Sequence, residues 1–338
     1  MNTNSPIDIH NKLFYHPERL GEFLKGGTTP VTWELDITNR CNHTCIGCDQ
    51  PWAGGRANNE ALNSWEAREY INQIKQLGGK AINLTGGGEP LFNLAFDSIV
   101  KYIKQVGLEV GLITNGSLLT RKTSQIILNN CSWVRISLDA GTSETFKKIR
   151  GRPEEEFNVV LNNIKVLVEE KKRLNSNCTV GVSFLTCKDT VREMKVFTDI
   201  CKQTGVDYVE FRPFHGDSTN PYKLQECLKL ETKEFKVLCS DFKYDRNYEK
   251  KYCRCHGQNF TGVINVHKVY ICCHFRGKEQ YEIGDLRKNT LREIWFSEKR
   301  KKVLEKIDLT KCLPLCKLDI INRFLDGVSE KPEHVNFI

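Results

Sequence analysis

The 338-residue chain has no apolar run of the roughly 18 residues that a membrane-spanning helix requires. Its first residues, Met1 to Ile9, lack the apolar stretch of a secretory signal. No nucleic-acid-binding motif accompanies the formal net charge of +8. Membranes and nucleic acids are therefore not expected as partners. What remains is an ordinary globular composition, 39% hydrophobic and 27% charged. The length suits one large domain with a smaller one. Fifteen cysteines without an export signal favour a reducing, cytoplasmic setting, with metal binding or catalysis in place of disulfides. Two basic clusters, Lys250/Lys251/Arg254 and Lys299–Lys302, read as solvated faces, with attraction of an anionic substrate as the alternative.

Short apolar runs alternate with longer amphipathic stretches. Strands are expected at Trp33–Thr38, Ala81–Thr85, Glu109–Thr114, Trp133–Leu138, Thr179–Thr186 and Tyr208–Arg212. Helices are expected at Ser64–Leu77, Leu94–Val106, Ser117–Asn129, Glu155–Lys172 and Val191–Thr204. Ser64 with Glu66, and Thr190 with Glu193, serve as start signals. Strands joined by helical crossovers imply an α/β fold, a parallel sheet curled towards an incomplete barrel. In closed barrels of that kind chemistry sits at the C-terminal ends of the strands.

The first strand leads into Cys41-x3-Cys45-x2-Cys48. Three thiolates on one short loop can hold three irons of a cubane cluster and leave the fourth open to a small molecule. Structural zinc, the competing reading, prefers paired Cys-x2-Cys units with four ligands. No fourth ligand of that type is near, and His43 would crowd the loop. The second strand ends in Thr85-Gly86-Gly87-Gly88-Glu89-Pro90, where glycines allow close backbone approach to a ligand. No Gly-Lys-Ser/Thr follows, so this is not a phosphate-binding loop.

These two motifs, at the ends of consecutive strands, resemble the radical S-adenosylmethionine (radical SAM) superfamily over roughly Val31 to Phe214. The resemblance implies a partial (β/α)6 barrel with a 4Fe–4S cluster on Cys41, Cys45 and Cys48, and SAM on its open iron. Gly87, Gly88 and Glu89 would then meet the methionine amino group. Asn115 and Asp139, polar groups at strand ends, are candidate cofactor contacts, and Ser137 is the best candidate for the ribose. Arg150 resembles an arginine that pairs with the SAM carboxylate, as bidentate geometry permits. Gly47 departs from the pattern: the position before the third cysteine is often aromatic and frames the adenine.

A second cysteine set follows: Cys253, Cys255, Cys272, Cys273, Cys312 and Cys316. Val263–Cys272 reads as a hairpin turning near Val266-His267-Lys268. Cys255-x16-Cys272-x39-Cys312-x3-Cys316 offers four thiolates, enough to close a cluster; zinc is again the alternative. The region resembles the small auxiliary-cluster domain of SPASM and twitch radical SAM enzymes. That likeness, through its hairpin spacing, prefers Cys272 over Cys273; Cys255 and Cys253 are nearly equivalent. His267 stands where those hairpins usually have glycine. Gly284-Asp285-Leu286 to Glu293-Ile294-Trp295 resembles the helix between the ligand pairs. The resulting organisation is an N-terminal extension (1–30), barrel (31–215), linker (216–250), auxiliary iron–sulfur domain (251–320) and tail (321–338).

The resemblance implies a 5′-deoxyadenosyl radical that takes hydrogen from a substrate over the barrel mouth. A fully ligated second 4Fe–4S cluster would accept the remaining electron, making the chain a radical SAM oxidoreductase. The expected substrate is a small polar metabolite (sugar, aminocyclitol or nucleoside) oxidised at an alcohol. An electron donor such as flavodoxin or ferredoxin is expected. About 30 residues before the first strand are too few for a separate peptide-binding domain. Peptide modification by thioether formation, crosslinking or epimerisation is the alternative, and a noncatalytic electron carrier the last. Epimerisation needs a hydrogen donor, for which Cys273, Cys187 and Cys253 are candidates. Arg212 and His215, after the sixth strand, are candidate substrate contacts.

Overall fold

A computed structural model describes residues 12–48, 59–214, 219–240, 244, 249–313, 316–329 and 333–334. Six parallel strands form its centre: β1 (Thr32–Asp36), β2 (Ala81–Leu84), β3 (Glu109–Thr114), β4 (Trp133–Ser137), β5 (Thr179–Thr186) and β6 (Tyr208–Pro213). A short helix α1 (Pro17–Leu24) precedes them. The connecting helices are α2 (Ser64–Gln76), α3 (Phe96–Gln105), α4 (Arg121–Asn130), α5 (Ser143–Arg150), α6 (Glu155–Leu174) and α7 (Met194–Thr204). The six expected strands and five expected helices are found to within a few residues, while α1 and α5 were not expected. The molecule has the α/β architecture of a partial barrel, and a small cysteine-rich C-terminal unit extends its sheet. Among the described residues no helix is long and apolar enough to cross a membrane.

Local chemistry sets the boundaries. Asn63, rather than Ser64, caps α2: its Oδ1 accepts from Trp65 N and Glu66 N at 2.9 Å while Glu66 returns a bond to Asn63 N. Thr190 does not cap a helix as expected. Its hydroxyl donates back to Leu185 O at 2.7 Å, and the chain enters α7 through the 3-10 turn Val191–Glu193. Glu193 is drawn away instead, accepting from Gly141 N at 2.7 Å and Thr145 Oγ1 at 2.6 Å.

The sheet is longer than six strands. After α8 (Leu224–Leu228), β7 (Lys236–Cys239) pairs parallel with β6, within the stretch expected to be linker. The C-terminal unit contributes β8 (Thr261–Asn265), β9 (Lys268–Tyr270) and β10 (Glu282–Asp285). β8 runs parallel beside β1, giving the order β10-β9-β8-β1-β2-β3-β4-β5-β6-β7. The turn between β8 and β9 is Val266-His267, as the hairpin reading anticipated. Val266 takes φ +50, the left-handed position where such turns favour glycine. Beyond β10 lie α9 (Leu291–Trp295), α10 (Glu298–Glu305) and α11 (Asp319–Ser329).

Inward and outward faces alternate along each strand. Outward Phe184 and Phe211 pack with Phe197 of α7 at 4.7 and 5.9 Å between ring centroids. Inward residues are therefore Ser183, Glu210 and Arg212, with Arg135 and Ser137 alongside in register. Lower in the barrel, the rings of Trp133 and Tyr208 lie over Gly111 and Gly181. A Cβ at either glycine would fall 2.3 and 2.1 Å from those rings. Aromatic rings thus plug the floor, and polar groups line the space above.

Candidate functional site

The cysteine loop leaves β1 and is clamped on three sides. Asn39 N donates to Glu60 O at 2.9 Å, and Leu62 N to Ile37 O at 2.9 Å. Thr44 N and Ile46 N donate to the carbonyls of Arg150 and Ile149 at the end of α5, at 3.3 and 3.1 Å. Asn42 bonds Ser117 Oγ at 2.7 Å and Asn115 Nδ2 at 2.8 Å, tying the loop to the end of β3. His43 N donates to Cys41 Sγ at 3.4 Å. The buried His43 ring, 2.9 Å from Glu156, is held by that carboxylate rather than offered as a ligand. Burial, then Arg150 and Arg152, push its pKa down to about 3, so the ring is neutral. Cys41 and Cys48 are exposed and Cys45 half-buried, as suits thiols presented to an incoming group.

The glycine-rich turn lies directly against this loop. Glu89 N donates to Arg40 O at 2.9 Å. A Cβ at Gly88 would sit 2.0 Å from that same carbonyl oxygen, and one at Gly87 2.6 Å from Asn39 Oδ1. Only glycine permits the contact. The buried Glu89 carboxylate accepts from Thr114 Oγ1 at 2.6 Å, Asn115 N at 2.7 Å and Leu91 N at 3.1 Å. It pins β2 to β3 and fixes the turn. Asn115 serves the same frame, its side chain shared between Asn42 and Ser117.

Gly47 acquires a structural reason. The ring of Phe214, just past β6, covers it so closely that a Cβ at Gly47 would fall 2.0 Å from Cζ. An aromatic ring therefore stands at this position, delivered by another element. Arg150 is buried, and its guanidinium bonds Asp139 at 2.9 Å while Nε has no hydrogen-bond partner. Asp139 adopts φ +59 and accepts from Leu185 N at 3.0 Å. Ser137 is half-buried on the inward face of β4. Arg212 is on the inward face of β6, 3.7 Å from Glu210. His215 lies outside the described residues.

In the C-terminal unit Cys255, Cys272, Cys273, Cys312 and Cys316 line one cavity together with Gln258, His274 and Lys317. The four thiols expected to bind a cluster are thus brought together, and Cys273 joins them. Cys253 is exposed and lies outside this lining. Cys273, weighed as a hydrogen donor, faces this cavity's thiols. A hydrogen bond from Cys272 draws the Cys273 thiol down, helped by Lys317 and His274, and holds Cys272 up. Burial pushes Cys255 up to about 12 and raises Cys316. Thiols in such a place give up their protons to a metal rather than to water. Among the described residues no three His, Cys, Asp or Glu side chains converge tightly enough for a single ion. A donor set spread around a cavity fits a polynuclear cluster.

One set of functional-site neighbours escaped the sequence reading. Glu34 and Asp36 project inward from β1. Arg276 Nε lies 2.7 Å from Asp36 Oδ2, its other nitrogens reach Glu34 and the carbonyl of Cys273, and Lys317 also reaches Glu34. Asn265 of β8 adds a bond to Asp36 at 3.0 Å. All three side chains of the Arg276–Glu34–Asp36 set are at most 9% exposed. The signal was available: a parallel strand buried on both faces is usually apolar throughout, and Thr32-Trp33-Glu34-Leu35-Asp36 is not.

Comparison with known proteins agrees with this geometry. The model of the radical SAM superfamily matches residues 35–196, and the SPASM iron–sulfur cluster-binding domain matches residues 253–318. The chain is 27% identical over 298 residues to the AdoMet-dependent heme synthase of Methanosarcina barkeri, covering 78% of this chain and 81% of that one. It is 31% identical over 147 residues to a GTP 3′,8-cyclase of Synechocystis, covering 43% and 44% of the two chains. Among solved structures, Streptococcus suis SuiB bound to S-adenosylmethionine superposes with a TM-score of 0.67 at 16% identity, over 91% of this chain and 76% of that one. Native anSMEcpe with bound AdoMet gives 0.62 at 15%, over 85% and 88%. Such an enzyme uses SAM with a 4Fe–4S cluster, and its C-terminal domain carries further iron–sulfur chemistry. The chain belongs to the radical SAM superfamily, as an enzyme with a C-terminal SPASM domain.

Proposed function

We propose that this enzyme is an oxidoreductase removing hydrogen from an alcohol carbon of a small polar metabolite, a sugar, aminocyclitol or nucleoside. When bound, SAM and the two clusters supply a 5′-deoxyadenosyl radical and an acceptor for the substrate's second electron. Cys41, Cys45 and Cys48 hold the first cluster, and Cys255, Cys272, Cys312 and Cys316 the second. The backbone of Gly87 and Gly88, fixed by Glu89 and Asn115, receives the SAM amino end. Arg150 receives its carboxylate and Ser137 its ribose. The barrel, residues 31–215, and the auxiliary unit, 251–320, work as one body, supplied with electrons by a flavodoxin- or ferredoxin-type donor.

The observation carrying the oxidative reading is the carboxylate of Glu34. It faces the barrel interior, yet is held by Lys317, which lines the cysteine cavity, and by Arg276, which bonds the Cys273 carbonyl. A substrate in the barrel would therefore be separated from the auxiliary thiols by one layer of side chains. The lining of hydroxyls, carboxylates and guanidiniums suits a polyol rather than an apolar chain.

The test is anaerobic turnover of reconstituted enzyme with dithionite, SAM and a panel of deuterated polyols and nucleosides. The reading predicts deuterium in 5′-deoxyadenosine and a product two hydrogens lighter, one per SAM cleaved. Deuterium transfer with no loss of mass, or a modified peptide in place of a carbonyl product, would refute it. A tetrapyrrole substrate is the second reading, favoured by the M. barkeri heme synthase matching over most of its length. Oxidation of a tetrapyrrole in the same assay would replace the alcohol by that substrate.

A further inference from the structure

Three guanidiniums and two carboxylates crowd the upper barrel on β4, β6 and the ends of β4 and α5. Arg135 pairs with Glu210, and Arg150 with Asp139 at 2.9 Å. The nearest carboxylate to Arg212 is Glu210, at 3.7 Å, with Asp139 acting on it from further off, and its Nε has no hydrogen-bond partner. Arg212 is also the most open of the five, 23% exposed against 2–12% for the others. Buried cations without a full partner are costly, and retaining one on the inward face of a strand is reasonable where a ligand completes the pair.

Neutral donors stand beside it. Ser183 is fully buried on β5 and its Oγ has no hydrogen-bond partner. The register aligns Ser137, Ser183 and Glu210 across three strands, with Arg212 two residues further toward the mouth. Burial, then Arg135, hold the Arg212 pKa below its usual value against the opposing pull of Glu210 and Asp139. A guanidinium with adjacent hydroxyls matches the fork of a planar or tetrahedral oxyanion.

We propose that Arg212, with Ser183 beside it, binds an oxyanion of the substrate, a carboxylate or a phosphate ester. This rests on the alcohol-oxidation reading and narrows its substrate to an acidic one, such as a uronate or a sugar phosphate.

The test uses reconstituted holoenzyme saturated with SAM, titrated calorimetrically with inorganic phosphate and with acetate. Wild type is expected to bind at least one of them, and Arg212→Gln to weaken it roughly tenfold or more. A response to phosphate points to an ester and a response to acetate to a carboxylate. Lys301→Gln, on the exposed α10, should bind as wild type does. Equal affinity in Arg212→Gln, or equal loss in Lys301→Gln, overturns the proposal. If Arg212→Gln fails to retain its clusters, Ser183→Ala replaces it, with about a threefold loss expected and unchanged affinity overturning the site. An Arg212-dependent anion with no oxidised alcohol keeps this site and sinks the alcohol reading. Equal oxidation of neutral and acidic alcohols by wild type and Arg212→Gln does the reverse.

Discussion

Replacing Arg276 by methionine tests whether its ion cluster joins the auxiliary unit to the barrel. The guanidinium meets Asp36 at 2.7 Å, Glu34, and the Cys273 carbonyl at 3.1 Å. Arg276→Met leaves Asp36 with the 3.0 Å bond from Asn265 as its main remaining side-chain partner, while Glu34 keeps Lys317. Removing one member of a buried pair costs about 3–5 kcal/mol. The surviving Lys317 contact places this case near the lower bound, about 3 kcal/mol. Asp36 limits the loss further: burial already pushes its carboxyl up to about 7 against the opposing pull of Arg276, so without Arg276 it takes a proton. The assay is thermal unfolding of the reconstituted protein, where about 3 kcal/mol shifts the midpoint by several degrees. Adding Glu34→Gln and Asp36→Asn to Arg276→Met should recover most of the loss, since no charge is then orphaned. A single Arg276→Met variant within about 1 kcal/mol of wild type would refute the reasoning.

Asp36 also gives a pH signature. Its folded pKa of about 7 exceeds the ordinary 3.8, so the folded chain binds the extra proton. The stability it contributes is fully present below about pH 4 and is lost as pH rises through 7; Asp36→Asn should flatten that decline in a urea series. Gly88→Ala drives a methyl into the Arg40 carbonyl and should abolish SAM binding in equilibrium dialysis while leaving auxiliary iron in place. Cys253→Ala should retain wild-type iron, whereas Cys255→Ala should lose about half of some eight irons, read by iron assay. Phe214→Ala uncovers Gly47 and should weaken SAM binding several-fold by the same dialysis.

The barrel was legible because its strands are short β-branched runs and its helices carry long amphipathic stretches, both local signals. Phe214 and Gly47 were each visible, yet their contact joins the first strand's loop to the sixth strand and has no local trace. β7 escaped because it has four residues, of which only Val237 is buried. Thr190 misled because its hydroxyl donates to Leu185 O and accepts from Cys187 N in place of the N–H groups of the helix ahead. The auxiliary thiols could be grouped from spacing. Cys273 shares the cavity with Cys272 because the chain enters a 3-10 turn at that point, which spacing does not reveal.

The pairing of β1 with β8 also governs the order of events during synthesis. Thr32 lies opposite Thr261, so the edge of β1 waits for a partner made about 230 residues later. At roughly 5–20 residues per second the ribosome takes on the order of 12 to 46 s to deliver it. Through that interval a nascent barrel presents an open strand edge, a ready template for unwanted association. A chain cut before residue 261 would keep that edge permanently. Slower translation prolongs the risk and chaperones shield it, so the yield of this protein depends on how soon its last third arrives.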